Sequence, residues 1–247
     1  MLKIRLIPVL TFNGISLVKT KQFNQPRIIG NPIQTARVYN SRNVDELVFI
    51  DIQATKQNRK LNLNLVKKVI DECYMPVSIG GGISTFDDIQ NLLKIGADKV
   101  IIKSKAIQDS AFIKDAVHYF GSQCISIAVD VIKKDDYYIF SPLTENLKLE
   151  EFILNMNNLN VGEFIVNSVD NDGMMEGFDA NLYLTISKLT DKPIVALGGA
   201  GEPNHFMDLV DQGFWGGLAG SSIYHFTQFT PNDVKRILKK GGIAVRV

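Results

Sequence analysis

Cysteine is nearly absent: Cys73 and Cys124 are the only two in 247 residues. Two thiols cannot build a disulfide framework, so the fold is expected to rest on its core, with both cysteines reduced inside it. An excess of either charge is also missing, with 27 Lys and Arg against 26 Asp and Glu. That balance excludes a global field able to hold nucleic acid or an anionic membrane, and any anion has to be bound locally. No stretch approaches the ~18 apolar residues of a membrane span, and the opening Met1-Leu2-Lys3-Ile4-Arg5 carries charge within its first apolar run. The expectation is a cytoplasmic chain that uses no membrane, metal or organic cofactor.

What the sequence does have is alternation. Short apolar runs alternate with amphipathic stretches from end to end, the pattern of parallel strands joined by crossover helices. The runs predict eight strands, at Ile4–Leu10, Leu47–Asp51, Val77–Ile79, Lys99–Ile102, Ile125–Asp130, Glu163–Asn167, Ile194–Ala196 and Gly217–Ala219. Between them the spacing predicts helices at Pro32–Asn40, Asn62–Cys73, Thr85–Ile95, Ser110–Tyr119, Leu149–Asn158, Asp179–Leu189, Glu202–Asp211 and Pro231–Lys240. Eight βα units in a chain close to the ~250 residues of such a fold point to an α/β (β/α)8 TIM barrel, one domain over 1–247, with an open doubly wound sheet as the runner-up.

The chain also repeats at half its length. Thr11 pairs with Asp130, Asp51 with Asp170, Gly80-Gly81-Gly82 with Gly198-Gly199, and Lys103-Ser104 with Gly220-Ser221, at offsets of 117 to 119 residues. A half-barrel duplication accounts for them and sets the two glycine turns across one barrel mouth. Each landmark ends a strand, on the face where barrels assemble their sites. A glycine turn either merely bends a strand into a helix or lets backbone N–H groups close on a phosphate. Two such turns related by the repeat favour the second: one phosphate corner at Gly81, Gly82 and Ser104, another at Gly199, Gly201, Gly220 and Ser221. Carboxylates on this rim are Asp51, Asp130, Asp170 and Asp172, each a candidate for chemistry or for a helix cap. Asp130, delivered by the run from Ile125, is the best general acid or base. Lys19, between Gly14 and Gly30, either reaches over the mouth from a mobile loop or is a solvated surface lysine.

Several segments then fall together in order and spacing: RLIPVL (5–10), DELVFIDI (45–52), GGGI (80–83), GADKV (96–100), FGSQ (120–123), DNDG (170–173), GGAG (198–201) and GIAVRV (242–247). Over nearly its whole length the chain resembles the cyclase (HisF) family of imidazole glycerol phosphate synthase. The resemblance implies a glutaminase (HisH-like) subunit docked on the N-terminal face, near Asp98, whose ammonia passes through the barrel to the mouth. It implies catalytic positions at Asp130, Thr11, Lys19 and Asp51, and phosphate contacts that include Asp172 and Gly173. It also implies a charged ring closing the lower entrance, at Arg5, Glu46, Lys99 and Glu163. Those four residues start strands one, two, four and six, so their opposite charges are able to neutralise one another at the base. A structural plug of salt bridges is the alternative.

The mouth departs from the family. Thr11 stands where the family carries a second catalytic carboxylate, and a threonine hydroxyl does not ionise usefully at neutral pH. Lys103 replaces the usual Asn, Asn167 and Met174 replace Thr, and Leu197 replaces Ser. A kept entrance with an altered chamber resembles the paralogues associated with acetamidino modification of surface sugars, where a separate ATP-using amidotransferase consumes the ammonia. That role is the favoured expectation. The alternatives are a true cyclase of histidine biosynthesis acting on a phosphorylated substrate, a HisA-type sugar isomerase, and a non-catalytic scaffold that activates its glutaminase.

Overall fold

The computed structural model of the protein describes residues 3–141 and 147–246, so the last residue of the GIAVRV segment lies outside the described residues. The elements in chain order are β1 (Leu6–Phe12), β2 (Leu17–Lys21), β3 (Asn24–Gly30), α1 (Pro32–Ser41), β4 (Leu47–Asp51), α2 (Leu63–Ile70), β5 (Val77–Gly80), α3 (Phe86–Lys94), β6 (Lys99–Ile102), α4 (Ser104–Gln108), α5 (Ser110–Phe120), β7 (Ile125–Lys134), β8 (Tyr137–Phe140), α6 (Leu149–Asn158), β9 (Glu163–Ser168), α7 (Ala180–Ser187), β10 (Ile194–Leu197), α8 (Pro203–Asp211), β11 (Gly217–Gly220), α9 (Ser222–Phe226) and α10 (Pro231–Lys240). Eight of these strands, β1, β4, β5, β6, β7, β9, β10 and β11, run parallel, and the pairing of β11 with β1 closes them into a (β/α)8 barrel.

Alternation along each barrel strand separates two cores. Leu6, Leu10, Leu47, Phe49, Val100, Phe164 and Val166 face the helices in the main core. Ile7, Val9, Val48, Ile101, Ile165, Val195, Leu197 and Ala219 form a second, apolar cluster that fills the barrel, with Ile50 and Ala128 against it. Extending the inward period by one step in either direction reaches polar groups: Arg5, Glu46, Lys99 and Glu163 below, Thr11, Lys103, Asp130 and Asn167 above.

The helices start where local chemistry supplies a cap. Asn31 accepts from Ile33 N and Gln34 N ahead of Pro32, and Thr85 with Asp88, like Thr230 with Asp233, makes a reciprocal capping box. Asn62, Thr85, Asp179 and Glu202 are therefore caps just outside their helices rather than first helical residues.

Three expectations need correction. The first strand starts at Leu6, not Ile4, which instead bridges Val245, and it runs on to Phe12 because Thr11 and Phe12 pair with Ile50 and Asp51. The segment from Gly14 to Gly30 is not a loop: β2 and β3 pair antiparallel through it, and the buried Lys19 belongs to β2. The repeat is also registered one residue differently at its last landmark. The short helices α4 and α9 correspond at an offset of 118, with Lys103 and Ser221 as caps of matching backbone conformation, so Ser104 corresponds to Ser222. Both cysteines are free and half-buried, and burial, helped by Glu72, pushes the Cys73 thiol up to about 12.

Candidate active site

At the base of the barrel four charged residues close a ring. Arg5 donates to Glu46 at 2.6 Å and to Glu163 at 3.0 Å, and Lys99 reaches Glu46 at 3.1 Å and Glu163 at 2.8 Å. Each glutamate also receives a serine hydroxyl from a neighbouring strand, Ser78 to Glu46 at 2.7 Å and Ser126 to Glu163 at 3.1 Å. The two carboxylates are almost fully buried, whereas the cations keep 24% and 19% of their side chains exposed, so the positive charges form the outward layer. Burial pushes Glu163 up, but Lys99 and Arg5 outweigh it and hold the carboxyl below its ordinary range. Asp98 lies exposed on this face, where it accepts from Val77 N at 2.8 Å.

At the opposite end Lys103 Nζ donates to Asp130 at 2.5 Å and to the carbonyl of Ser141 at 2.8 Å. The other Asp130 oxygen takes a longer contact of 3.4 Å from Asn167 Nδ2. Asn167 Oδ1 is buried with no partner among the described residues. Thr11 gives its hydroxyl to the carbonyl of Val18, which ties β1 to the β2–β3 hairpin. A second ion pair stands nearby: Lys19 Nζ meets Asp172 at 2.5 Å, both side chains almost fully buried. Gln22 N and Gln22 Nε2 bond the carbonyls of Asp172 and Asp170, so the hairpin is stitched to the segment after β9. Asp170 itself accepts from Lys133 N at 2.7 Å.

The second glycine corner is assembled. Lys19, Asp172, Gly173, Gly199, Gly220, Ser221 and Ser222 line one pocket. The hydroxyls of Ser221 and Ser222 are buried and unpartnered among the described residues, two donors available to a ligand. Gly199 has φ of +105°, and a Cβ there would lie 1.8 Å from the Gly177 carbonyl, so only glycine closes this turn. Tyr183 OH holds the strand before it, through the carbonyl of Leu197 at 2.6 Å. Gly201 does not line this pocket; it packs on Met175 and donates to His205.

The first corner is looser. Gly81 and Gly82 have positive φ, and the backbone carbonyls of Asp51 and Arg59 leave no room for a Cβ at either. They line a separate pocket with Lys60, Asp88 and Asn91, and Ser104 is not part of that lining. Asp51 is engaged on all sides: Arg59 binds it through two bonds of 2.6 and 2.8 Å, and Gln53 N and Ala54 N donate to it at 3.1 Å. The arrangement is that of a carboxylate organising its own turn. Sequence reasoning missed Arg59, Tyr183 and the two ring serines, because nothing in local composition announces a partner that arrives from another strand or loop. Ser78 and Ser126 were the most findable, as polar residues inside otherwise apolar strands.

Comparison with known proteins identifies the family of the chain. A family described as histidine biosynthesis protein matches residues 5–230. The imidazole glycerol phosphate synthase subunit HisF of Staphylococcus saprophyticus is 38% identical over the full length of both chains. A putative imidazole glycerol phosphate synthase subunit hisF2 of Campylobacter jejuni is 39% identical, and the HisF subunit of Streptococcus mutans 36%, again over the whole of each chain. With the ring at its base, the glycine corner at its mouth and relatives matched end to end, the chain belongs to the histidine biosynthesis protein family, among its HisF members.

Proposed function

We propose that this chain is the ammonia-using subunit of an imidazole glycerol phosphate synthase: it takes ammonia from a HisH-like glutaminase docked on its N-terminal face and combines it with a bis-phosphorylated substrate at the mouth. The observation that carries the reading is the closed ring of Arg5, Glu46, Lys99 and Glu163 beneath an apolar barrel interior. A neutral molecule such as ammonia crosses apolar surroundings at far lower cost than an ion, so a ring that filters charge above a docking face fits delivery of ammonia rather than ammonium. Asp130 would act as the acid–base group, Lys19 would come from the hairpin, and Gly199, Gly220 and Ser221, with Asp172 and Gly173, would hold one phosphate.

A second reading stands on the mouth. Thr11 does not ionise and Asp130 is committed to Lys103, which supports a chain that hands ammonia to a separate ATP-using enzyme modifying a sugar. One assay separates the two. Purified chain given ammonium and the bis-phosphorylated formimino substrate is expected to release imidazole glycerol phosphate, at a rate ~10²–10⁴-fold below that of a two-carboxylate cyclase. Absence of that product, with ammonia still delivered from glutamine in the complex, would leave the second reading in place of the first.

A further inference from the structure

The pocket at the second glycine corner contains an anionic group of its own. Asp172 lines it beside Lys19, Gly199, Ser221 and Ser222, and its carboxylate is turned toward Lys19 at 2.5 Å and Thr20 at 3.4 Å. A fully ionised anion entering this space would meet a buried carboxylate that, among the described residues, Lys19 alone neutralises. Two like charges sharing one dry site are strongly disfavoured unless a proton lies between them.

We propose that Asp172 is a specificity residue of this pocket: it accepts a hydrogen bond from a protonated phosphate oxygen, so that the site admits phosphate groups carrying one proton and rejects anions that have none to give. The inference rests on the reading of this corner as a phosphate site and names the form of phosphate it selects. The proton balance is explicit. A phosphate monoanion brings its own O–H and donates it to the Asp172 carboxylate, while the hydroxyls of Ser221 and Ser222 and the Lys19 ammonium donate to its remaining oxygens. Sulfate, which has no proton near neutral pH, binds only if Asp172 takes one from solvent.

The surroundings of Asp172 favour such sharing. Burial pushes its pKa up, Lys19 opposes the shift and Asp130 on β7 adds to it. Tyr183 on α7 faces it as a neutral phenol, raised by its own burial. His225 on α9 stands near Lys19 and stays neutral, since burial, with Lys19 and Arg42, lowers it to about 4. Lys103 is held by Asp130 and supplies no second cation to Asp172.

Calorimetric titration of the intact chain with inorganic phosphate and with sulfate, at pH 6 and pH 8, tests this. Wild-type protein is expected to bind phosphate at least tenfold more tightly than sulfate at pH 6, and to take up about one proton per sulfate bound when buffers of different ionisation enthalpy are compared. Asp172→Asn, which keeps shape and offers a donor, is expected to bring the two anions within about threefold and to abolish the proton uptake. Equal affinity of the wild-type chain for both anions, without proton uptake, would overturn the selectivity while leaving the phosphate corner intact. Failure of both anions to bind either protein would overturn the corner and the selectivity together. The proton count is read on the unmodified chain, so the test stands even if the variant folds poorly.

Discussion

Thr11 gives its only proton to the carbonyl of Val18, and this contact sets what a substitution there would do. A carboxylate at position 11 cannot donate to that carbonyl, so Thr11→Asp would loosen β1 from the hairpin while supplying the missing acid–base group. Ammonium-dependent cyclisation by Thr11→Asp is expected to rise at least tenfold over the wild type in steady-state assays. No rise in a protein of unchanged melting temperature would place the obstacle elsewhere, first at Lys103. Among single residues, Asp130 at the mouth and Arg5, Glu46, Lys99 and Glu163 at the base were legible, because a charged side chain at the end of an apolar strand has few places to go. The partner of Asp130 was not, since Lys103 arrives from a different strand, 27 positions earlier. Asp51 read the same way as Asp130, yet its charge is consumed by Arg59 a short loop away.

At the scale of elements, glycine turns shape the candidate site. Gly199→Ala would force a positive-φ alanine against the Gly177 carbonyl, a strain of roughly 1–3 kcal/mol before any clash is relieved. The expected outcome is a lower melting temperature together with loss of phosphate binding in the same titration used above. Phosphate binding that survives unchanged would detach that corner from the pocket. Caps offer a milder test: Thr85→Ala removes one half of the capping box that starts α3 and is expected to cost about 1 kcal/mol in chemical denaturation. The barrel strands were readable because continuous apolar runs between helix caps have one ready interpretation, parallel strands buried on both faces. The β2–β3 hairpin was not, because every residue of β3 from Asn24 to Ile28 is exposed and shows no inward alternation. Helices α4 and α9, five residues each, are too short for a 3.6-residue period to register.

For the whole molecule the base ring joins four strands that are distant in sequence, so it contributes to stability whatever it does for passage. Replacing Lys99 by Ala leaves Glu46 and Glu163 sharing Arg5 alone, and the barrel is expected to lose on the order of 3 kcal/mol. The ring also predicts an acid limb. Glu163 titrates below its ordinary value in the folded chain, so its share of stability is present above about pH 4 and is lost as pH falls through the depressed folded value. Melting temperature measured from pH 7 downward should fall below pH 4, and in Glu163→Gln that dependence should flatten; an unchanged profile would mean the ring does not couple to folding.

The central claim is that nitrogen reaches the mouth from below, through the barrel. The direct measurement supplies amide-15N glutamine to the chain complexed with its glutaminase, in a large excess of unlabelled ammonium, and reads the isotope in the product. Passage through the interior predicts product labelled far above the bulk ammonium pool, with the label diluted when Lys99→Ala opens the ring. Product nitrogen matching the bulk pool in the wild-type complex would contradict the account.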